Sequence, residues 1–389
     1  MRAGATRALP AGVLAALLAA CSTLAPPPGG TPARAPAAPA AGAAAPASAV
    51  RFERDASALA LDIRDADWLA AWPAWMASCR ALTDDRAAHR SAWEPVCTEA
   101  IFLAPRSGRA VREFLLAHLD RYRVLAAGAE AGARPDAGLV TGYYEPVLEG
   151  SRRRSGDFVA PVYRAPAPGT ALARAELDTG GQLQGLELLW LRDPIEAFFL
   201  EVQGSGRIHL DDGSWIRVAY AASNGLPYRS IGRWLVEQGE LPAEQVSAAA
   251  IRDWAHAHPQ KLRTLLEQNP RVVFFREVPL GDPAQGPIGS LGVALTPGYS
   301  VAVDPRFLPL GAPLLLDTQA PCGKEALTRL ALAQDTGGAI RGPLRIDWFW
   351  GLGDAAGELA GHQHGSASVQ LLVPRGVDPQ SLLSAPSAP

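Results

Sequence analysis

Three shortages in this sequence each remove a class of function. Basic charge is not in excess: the net charge is −3 and the pI about 6.2. The Arg152-Arg153-Arg154 cluster is short and suits a solvated loop, so no nucleic-acid partner is expected. Long apolar runs are missing as well. The N-terminal run, Ala11 to Ala20, falls short of the ~20 residues that a membrane-spanning helix needs. Cysteine is scarce, at 4 residues in 389, and His362 and His364 form an isolated pair without further ligands at coordinating spacing. No metal site is expected from that pattern, and no cofactor. There is no internal repeat, and the acid-bearing stretch 333–361 has neither a serine-nucleophile motif nor a phosphate loop beside it.

What is present is enough for a packed body. Apolar residues make up 48% and charged residues 19% of the chain, and the length is that of two or three domains. Residues 1–20 read as a signal peptide, with Arg2 and Arg7 before the apolar run. The run ends in Leu18-Ala19-Ala20-Cys21, which resembles a bacterial lipobox; an ordinary secretory signal with an incidental cysteine is the alternative. In the lipobox reading Cys21 becomes the first residue and carries lipid, each buried CH₂ contributing roughly 0.8 kcal/mol to anchoring. Ser22 at the next position resembles lipoproteins sorted to an outer membrane, so the expected location is the outer membrane, facing the periplasm. An exported protein permits a bridge between Cys79 and Cys97, 18 residues apart; two small buried thiols remain the other reading.

The stretch 21–50 is rich in Pro, Ala and Gly without a periodic apolar face, so it reads as a tether. Residues 51–135 read as helical, with Trp68, Leu69, Trp72, Trp75 and Met76, then Val111, Phe114, Leu115 and Leu119, at three- and four-residue spacing. From 136 to 228 short β-type runs alternate with Gly, Pro and Asp, and "AFFLEVQGSGRIHL" reads as part of this β unit. Asp212-Gly213 marks a hairpin. Residues 229–375 begin with two helices, one capped by Ser230 and a second from about Pro242, and return to strands at "RVVFFREV". The end, 376–389, reads as a frayed tail.

Asp335 and Asp347 stand at the ends of two adjacent apolar runs, the first closing "RLALAQD" and the second near the start of "RIDWFW", with the turn-rich "TGGAIRGP" between them. If the two strands pair, both carboxylates converge on one groove. Apolar neighbours disfavour the ionised form and raise a carboxyl pKa, which suits a general acid. The competing role is to cap a turn by accepting backbone N–H groups. Asp354 and Glu358 read as a solvated helix start.

The runs "TGYYEP", "VQGSGRIHLDDG", "YRSIGRWL", "NPRVVFF", "SVAVDPRFLPLGAPLLL" and "AQDTGGAIRGPLRID", in that order, resemble the membrane-bound lytic murein transglycosylase A family over residues 135–373. The resemblance implies a mainly β protein with flanking helices: a double-psi (barwin-like) β-barrel in the catalytic lobe, an inserted β-barrel domain near 140–228, and helices 51–130 and 230–268 packed around the first barrel. It implies a peptidoglycan lytic exotransglycosylase, although the residues themselves do not distinguish exo from endo action. Such enzymes cut between N-acetylmuramic acid and N-acetylglucosamine, the muramyl 6-hydroxyl attacking its own anomeric carbon to leave a 1,6-anhydro end. With the nucleophile tethered in the substrate, one carboxyl group can serve as acid and base.

By this resemblance Asp347 fits the acid/base and Asp335 a second groove carboxylate. Thr141, Tyr143, Gln203, Ser205 and Asn224 are expected to bind the glycan, Tyr143 and Tyr144 by stacking unless they are core. Arg229 suits either a substrate carboxylate or a helix cap. The final run "HGSASVQLLVP" lacks an aromatic usual in relatives. The expected partners are peptidoglycan strands and, through the lipid, a membrane; no protein partner is legible. A hydrolytic muramidase using Asp335 to activate water and a non-catalytic wall-binding lipoprotein are the competing classes.

Overall fold

The computed structural model describes residues 50–127, 135–169, 171–282, 285–323 and 325–383; the signal, Cys21 and most of the tether lie outside them. The chain runs through β1 (Val50–Arg54), α1 (Asp65–Leu82), α2 (Arg90–Phe102), α3 (Gly108–His118), β2 (Leu119–Ala126) and β3 (Gly138–Glu145). A second unit follows: β4 (Val147–Ser151), β5 (Ala160–Tyr163), α4 (Arg174–Gly180), β6 (Glu187–Leu191), α5 (Pro194–Gln203), β7 (Ser205–Leu210), β8 (Trp215–Ser223), α6 (Ile231–Glu237), α7 (Ala248–Ala257), α8 (Leu262–Glu267) and β9 (Val273–Val278). It ends with β10 (Ser300–Ala302), β11 (Pro313–Gln319), β12 (Ala326–Asp335), β13 (Arg345–Leu352), α9 (Gly353–His362) and β14 (His364–Pro374).

Hydrogen bonding orders the first sheet β1-β2-β14-β11-β12-β10-β13-β3, and β14 pairs β3 as well. The strands β14, β11, β12, β10, β13 and β3 therefore close into a six-stranded barrel, leaving β1 and β2 as an appended pair. Closure gives every barrel strand a hydrogen-bonded neighbour on both sides. Two neighbouring pairs, β10 with β12 and β13 with β3, are parallel and the others antiparallel. The closed six-strand ring with flanking helices is the mainly β architecture expected.

The tryptophans of the helical region pack into this core: Trp68, Trp75 and Trp93 are buried beside Leu314, Leu330 and Trp348. A disulfide joins Cys79 of α1 to Cys97 of α2, which decides between the two readings of that pair. The helical span is shorter than expected, because β1 and β2 pair antiparallel and extend the sheet from β14.

The second unit is a six-stranded sheet ordered β5-β6-β4-β7-β8-β9 around its own core of Leu189, Ile208, Val218 and Phe275. Its end strands touch without ladder hydrogen bonds, so the expected inserted barrel is curled but not closed by backbone pairing. The Asp212-Gly213 hairpin is present, with Gly213 at φ 83°.

Several sequence expectations are corrected here. Residues 194–203 are helix rather than strand. Asp193 caps the helix by accepting from the Ile195 N–H, Pro194 sits in its first turn, and Gly204 ends it in the left-handed region at φ 80°. These stop and start signals outweigh the strand-like run of Phe198, Phe199 and Leu200. The helices α6, α7 and α8 bury Ile231, Leu235, Trp254 and Leu265 against Ile195 and Phe198 of α5. They belong to the inserted unit, not to the barrel, and the unit continues past 228 to β9. The second predicted helix is broken at Ser247 and Pro259. The tail is docked through 383, with Leu382 in the barrel core.

Glu145 ends β3 and is fully buried at the junction of the two lobes. Arg207 of β7 and Arg217 of β8 approach it at 3.0 and 2.8 Å, and both also donate to the Gln285 carbonyl. Burial raises the Glu145 pKa, and the two guanidiniums oppose that rise. Removing the charge leaves two buried cations uncompensated. Glu145→Gln is expected to cost about 3–5 kcal/mol of unfolding free energy in urea titrations; a change below 1 kcal/mol would show the cluster to be dispensable.

Candidate functional site

The two aspartates lie on strands that do not pair directly. β10 runs between β12 and β13, and its Ala302 is in register with Asp335 on one side and Asp347 on the other. Twice the inter-strand spacing separates the backbones, about 10 Å. The condition of direct pairing is not met, and the carboxyl groups flank one position at the barrel end across the intervening strand.

Asp347 is half-buried on β13, level with Thr141 on the parallel neighbour β3. The Thr141 hydroxyl donates to Asp347 Oδ1. Arg345, two residues earlier on β13, donates from Nη2 to Thr141 Oγ1 at 2.8 Å and from Nη1 to its neighbour's carbonyl at 2.6 Å. A guanidinium only donates, so Thr141 accepts from Arg345 and must turn its own proton toward Asp347. Oδ1 is thereby held as the acceptor oxygen, and a proton on this carboxyl resides on Oδ2. Burial raises the Asp347 pKa to about 6, against the lowering effects of Arg345 and Thr141 and with a further push from Asp335.

Asp335 is treated differently. Its Oδ1 accepts from the Ser290 N–H at 2.9 Å, the Ser290 hydroxyl at 3.0 Å and the Thr336 N–H at 2.9 Å. Its Oδ2 accepts from the Tyr143 hydroxyl at 2.8 Å. Burial raises its pKa while these four donors favour the charged form. The Tyr143 phenol is in turn held well above its ordinary pKa by burial and by Asp335. Its ring packs on Phe349 with centroids 5.3 Å apart.

A cleft of about 750 Å³ opens between the lobes. Four residues expected at the site line it: Tyr143, Gln203, Ser205 and Asp335. Gln203 accepts the Tyr144 N–H on its side-chain oxygen at 3.1 Å, so the end of α5 is fastened to β3 at the cleft. Thr141 and Asp347 stand beside the cleft residues, tied to one another, and are not part of this lining. Asn224 is corrected outright. It is 4% exposed, its Nδ2 donates to the carbonyls of Leu172 and Pro270 at 2.8 Å, and its Oδ1 accepts from the Val272 N–H at 3.1 Å. Its amide braces a loop and has nothing left for a ligand. Tyr144 also turns away, packing over Gly357 and accepting from Arg252 at 3.3 Å. Arg229 is exposed outside the cleft, whereas Asp354 and Glu358 are exposed on the first turns of α9 as expected.

Sequence reasoning did not single out Arg345, Ser290 or Thr336. Arg345 was findable, since residues i and i+2 of a strand share a face with Asp347. Ser290 reaches Asp335 from 45 residues away and left no local signal.

A closed barrel carrying two unlike carboxyl groups at its end, faced across a cleft by a β-rich inserted lobe, defines a two-lobed barrel protein with an acidic site. The MltA specific insert domain matches residues 139–172 and 169–276, and the 3D domain matches residues 299–373. The chain is 37% identical over 265 residues to the membrane-bound lytic murein transglycosylase A of Escherichia coli (strain K12), spanning 65% of this chain and 71% of that protein. Among solved structures it is similar to the lytic transglycosylase LtgG of Burkholderia pseudomallei, at 44% identity and TM-score 0.56, covering 79% of this chain and 90% of that one. It is also similar to Escherichia coli MltA with bound chitohexaose, at 29% identity and TM-score 0.67, covering 84% and 94%. The chain belongs to the membrane-bound lytic murein transglycosylase A family.

The Thr141 hydroxyl stabilises the ionised form of Asp347, and its loss favours the protonated form. Thr141→Val is expected to raise the Asp347 pKa by about one unit, worth ~1.4 kcal/mol. Carboxyl-carbon NMR titration reads this directly, and an unchanged midpoint would show that the hydroxyl does not hold this carboxylate.

Proposed function

We propose that this chain is a peptidoglycan lytic transglycosylase cutting the MurNAc-GlcNAc β-1,4 bond with Asp347 as its acid and base. The observation that carries the reading is the contrast between the two carboxyl groups. Asp347 has a pKa of about 6 and one oxygen committed to Thr141, so its other oxygen is available to hold a proton near neutral pH. That proton goes to the glycosidic oxygen as the bond to the muramyl anomeric carbon breaks. The resulting carboxylate takes the proton of the muramyl 6-hydroxyl as this oxygen bonds to the same carbon. The proton count closes without water, leaving a 1,6-anhydro end and a free GlcNAc 4-hydroxyl.

Asp335 suits electrostatic support of the positive charge that develops at the anomeric carbon. A hydrolase would instead need it as a base for water. Three donors on Oδ1 and the Tyr143 hydroxyl on Oδ2 tie this carboxyl into the protein instead of leaving it to orient a water, which favours the lytic reading over the hydrolytic one. Tyr143, Gln203 and Ser205 line the cleft where a strand would lie. Lipid on Cys21 and a tether to residue 50 complete the proposal, placing the enzyme on the outer membrane facing the periplasm; the support is the lipobox-like Leu18-Ala19-Ala20-Cys21.

Mass spectrometry of products from purified sacculi tests substrate and reaction together: anhydro ends are expected, and water-added reducing ends would overturn the lytic assignment. Asp347→Asn is expected to lower turnover at least 10²–10³-fold, the scale of a lost general acid, while glycan binding survives. Because the acid must enter protonated, kcat/KM should fall about tenfold per pH unit above a midpoint near 6. A profile flat from pH 5 to 8 would remove Asp347 from the proton-transfer step.

A further inference from the structure

Most of the described arginines have an acidic partner. Arg174 grips Glu201 at 2.8 Å, Arg306 grips Asp304 at 2.6 Å, and Arg252 grips Glu196. Three in the inter-lobe cleft do not. Arg271, Arg276 and Arg341 line it, and none makes an ion pair among the described residues. Their contacts are weak and to carbonyls: Arg271 Nη1 to Leu226 at 3.2 Å, Arg276 Nε to Tyr220 at 3.5 Å, and Arg341 Nε to Gly338 at 3.2 Å. The acids of the cleft leave them unneutralised, since Glu201 is bound by Arg174 and Asp335 by its neutral donors.

The placement of Arg271 is built. It leaves the inserted lobe just before β9, and its guanidinium lies against Gly338 in the barrel loop that follows Asp335. A Cβ at Gly338 would come within 2.8 Å of Arg271 Nη2, so the glycine lets the guanidinium lie directly against the loop backbone. Planar guanidiniums with free N–H groups in a concave site match carboxylates, which they bind by paired hydrogen bonds. A cleft for a neutral polysaccharide gains nothing from three unpaired cations. Unbranched chitin-type glycan is neutral, whereas the muramyl side of peptidoglycan carries carboxylates.

Building on the proposed activity, we propose that Arg271, Arg276 and Arg341 form a carboxylate-reading strip that selects muramyl-bearing strands over neutral glycan. The carboxylate comes either from the lactyl group of stem-free muramyl residues or from the acidic groups of the peptide stem. Each arginine acts on binding and on substrate choice, not on the proton transfers at Asp347.

The test measures dissociation constants in an Asp347→Asn background, where strands persist, for stem-bearing strands, amidase-stripped strands and chitohexaose. Arg271→Gln combined with Arg276→Gln and Arg341→Gln is expected to weaken carboxylate-bearing strands 10- to 30-fold and to leave chitohexaose within twofold. A loss confined to stem-bearing strands assigns the stem acids, and a loss with stripped strands assigns the lactyl carboxylate; both support the strip. In the active background KM should rise with kcat within twofold. Unchanged affinity for both charged strands, or equal weakening of chitohexaose, overturns the proposal. If the unsubstituted protein makes no anhydro ends yet still discriminates by charge, the activity assignment falls and the strip stands. If anhydro ends form and the triple variant discriminates as before, the strip alone falls.

Discussion

Three residues, Ser300–Ala302, set the distance on which the site depends. β10 is held by β12 on one side and by β13 on the other, and this alone keeps Asp335 and Asp347 two strands apart at a common level. So short a strand is not secured by its own ladder. Ser300 accepts from the Thr296 N–H at 2.7 Å and donates to Gln334 at 2.6 Å. Gln334 then donates from Nε2 to the Ala74 carbonyl and the Ser78 hydroxyl, both at 2.9 Å. Both Ser300 and Gln334 are fully buried, so each bond acts without competition from water. The helix α1, crosslinked to α2 through Cys79, thus braces the strand that spaces the carboxyls.

Within that spacing, one residue type has been given two characters. Asp335 accepts from donors on three separate segments, three of them on Oδ1 and one on Oδ2. Asp347 receives a single hydroxyl, that of Thr141, which Arg345 orients. Environment, not identity, separates a charge that stabilises from a group that exchanges protons. The second lobe contributes through the same logic. Its arginines at 207 and 217 are consumed by Glu145 at the junction, whereas those at 271 and 276 are left uncommitted along the cleft. Structural cations and cations aimed at a ligand are distinguished here by whether an acid stands beside them.

Much of this was legible along the chain. The tryptophan periodicity of 68–76 marked the helical core, Asp212-Gly213 marked its hairpin, and the two acid-bearing apolar runs marked the end of β12 and the start of β13. What failed did so for identifiable reasons. The strand-like aromatic run of 197–200 concealed a helix, because its start at Asp193-Pro194 and its stop at Gly204 were not weighed against it. The run "SVAVD" read as strand, but its insertion as β10 between two others is a matter of topology and not of pattern. Asn224 looked like a ligand-facing polar group beside a glycine. Its partners at Leu172 and Pro270 lie some fifty residues away in both directions, beyond anything local composition reports.

The barrel is sealed by β14, which pairs with β2, β11 and β3 at once. His364 opens it in register with Thr141, so the strand that carries the hydroxyl donor of Asp347 is held on its far side by residues that follow both aspartates in sequence. The site is thus fixed by pairings that reach across most of the described fold, and no single local stretch contains it.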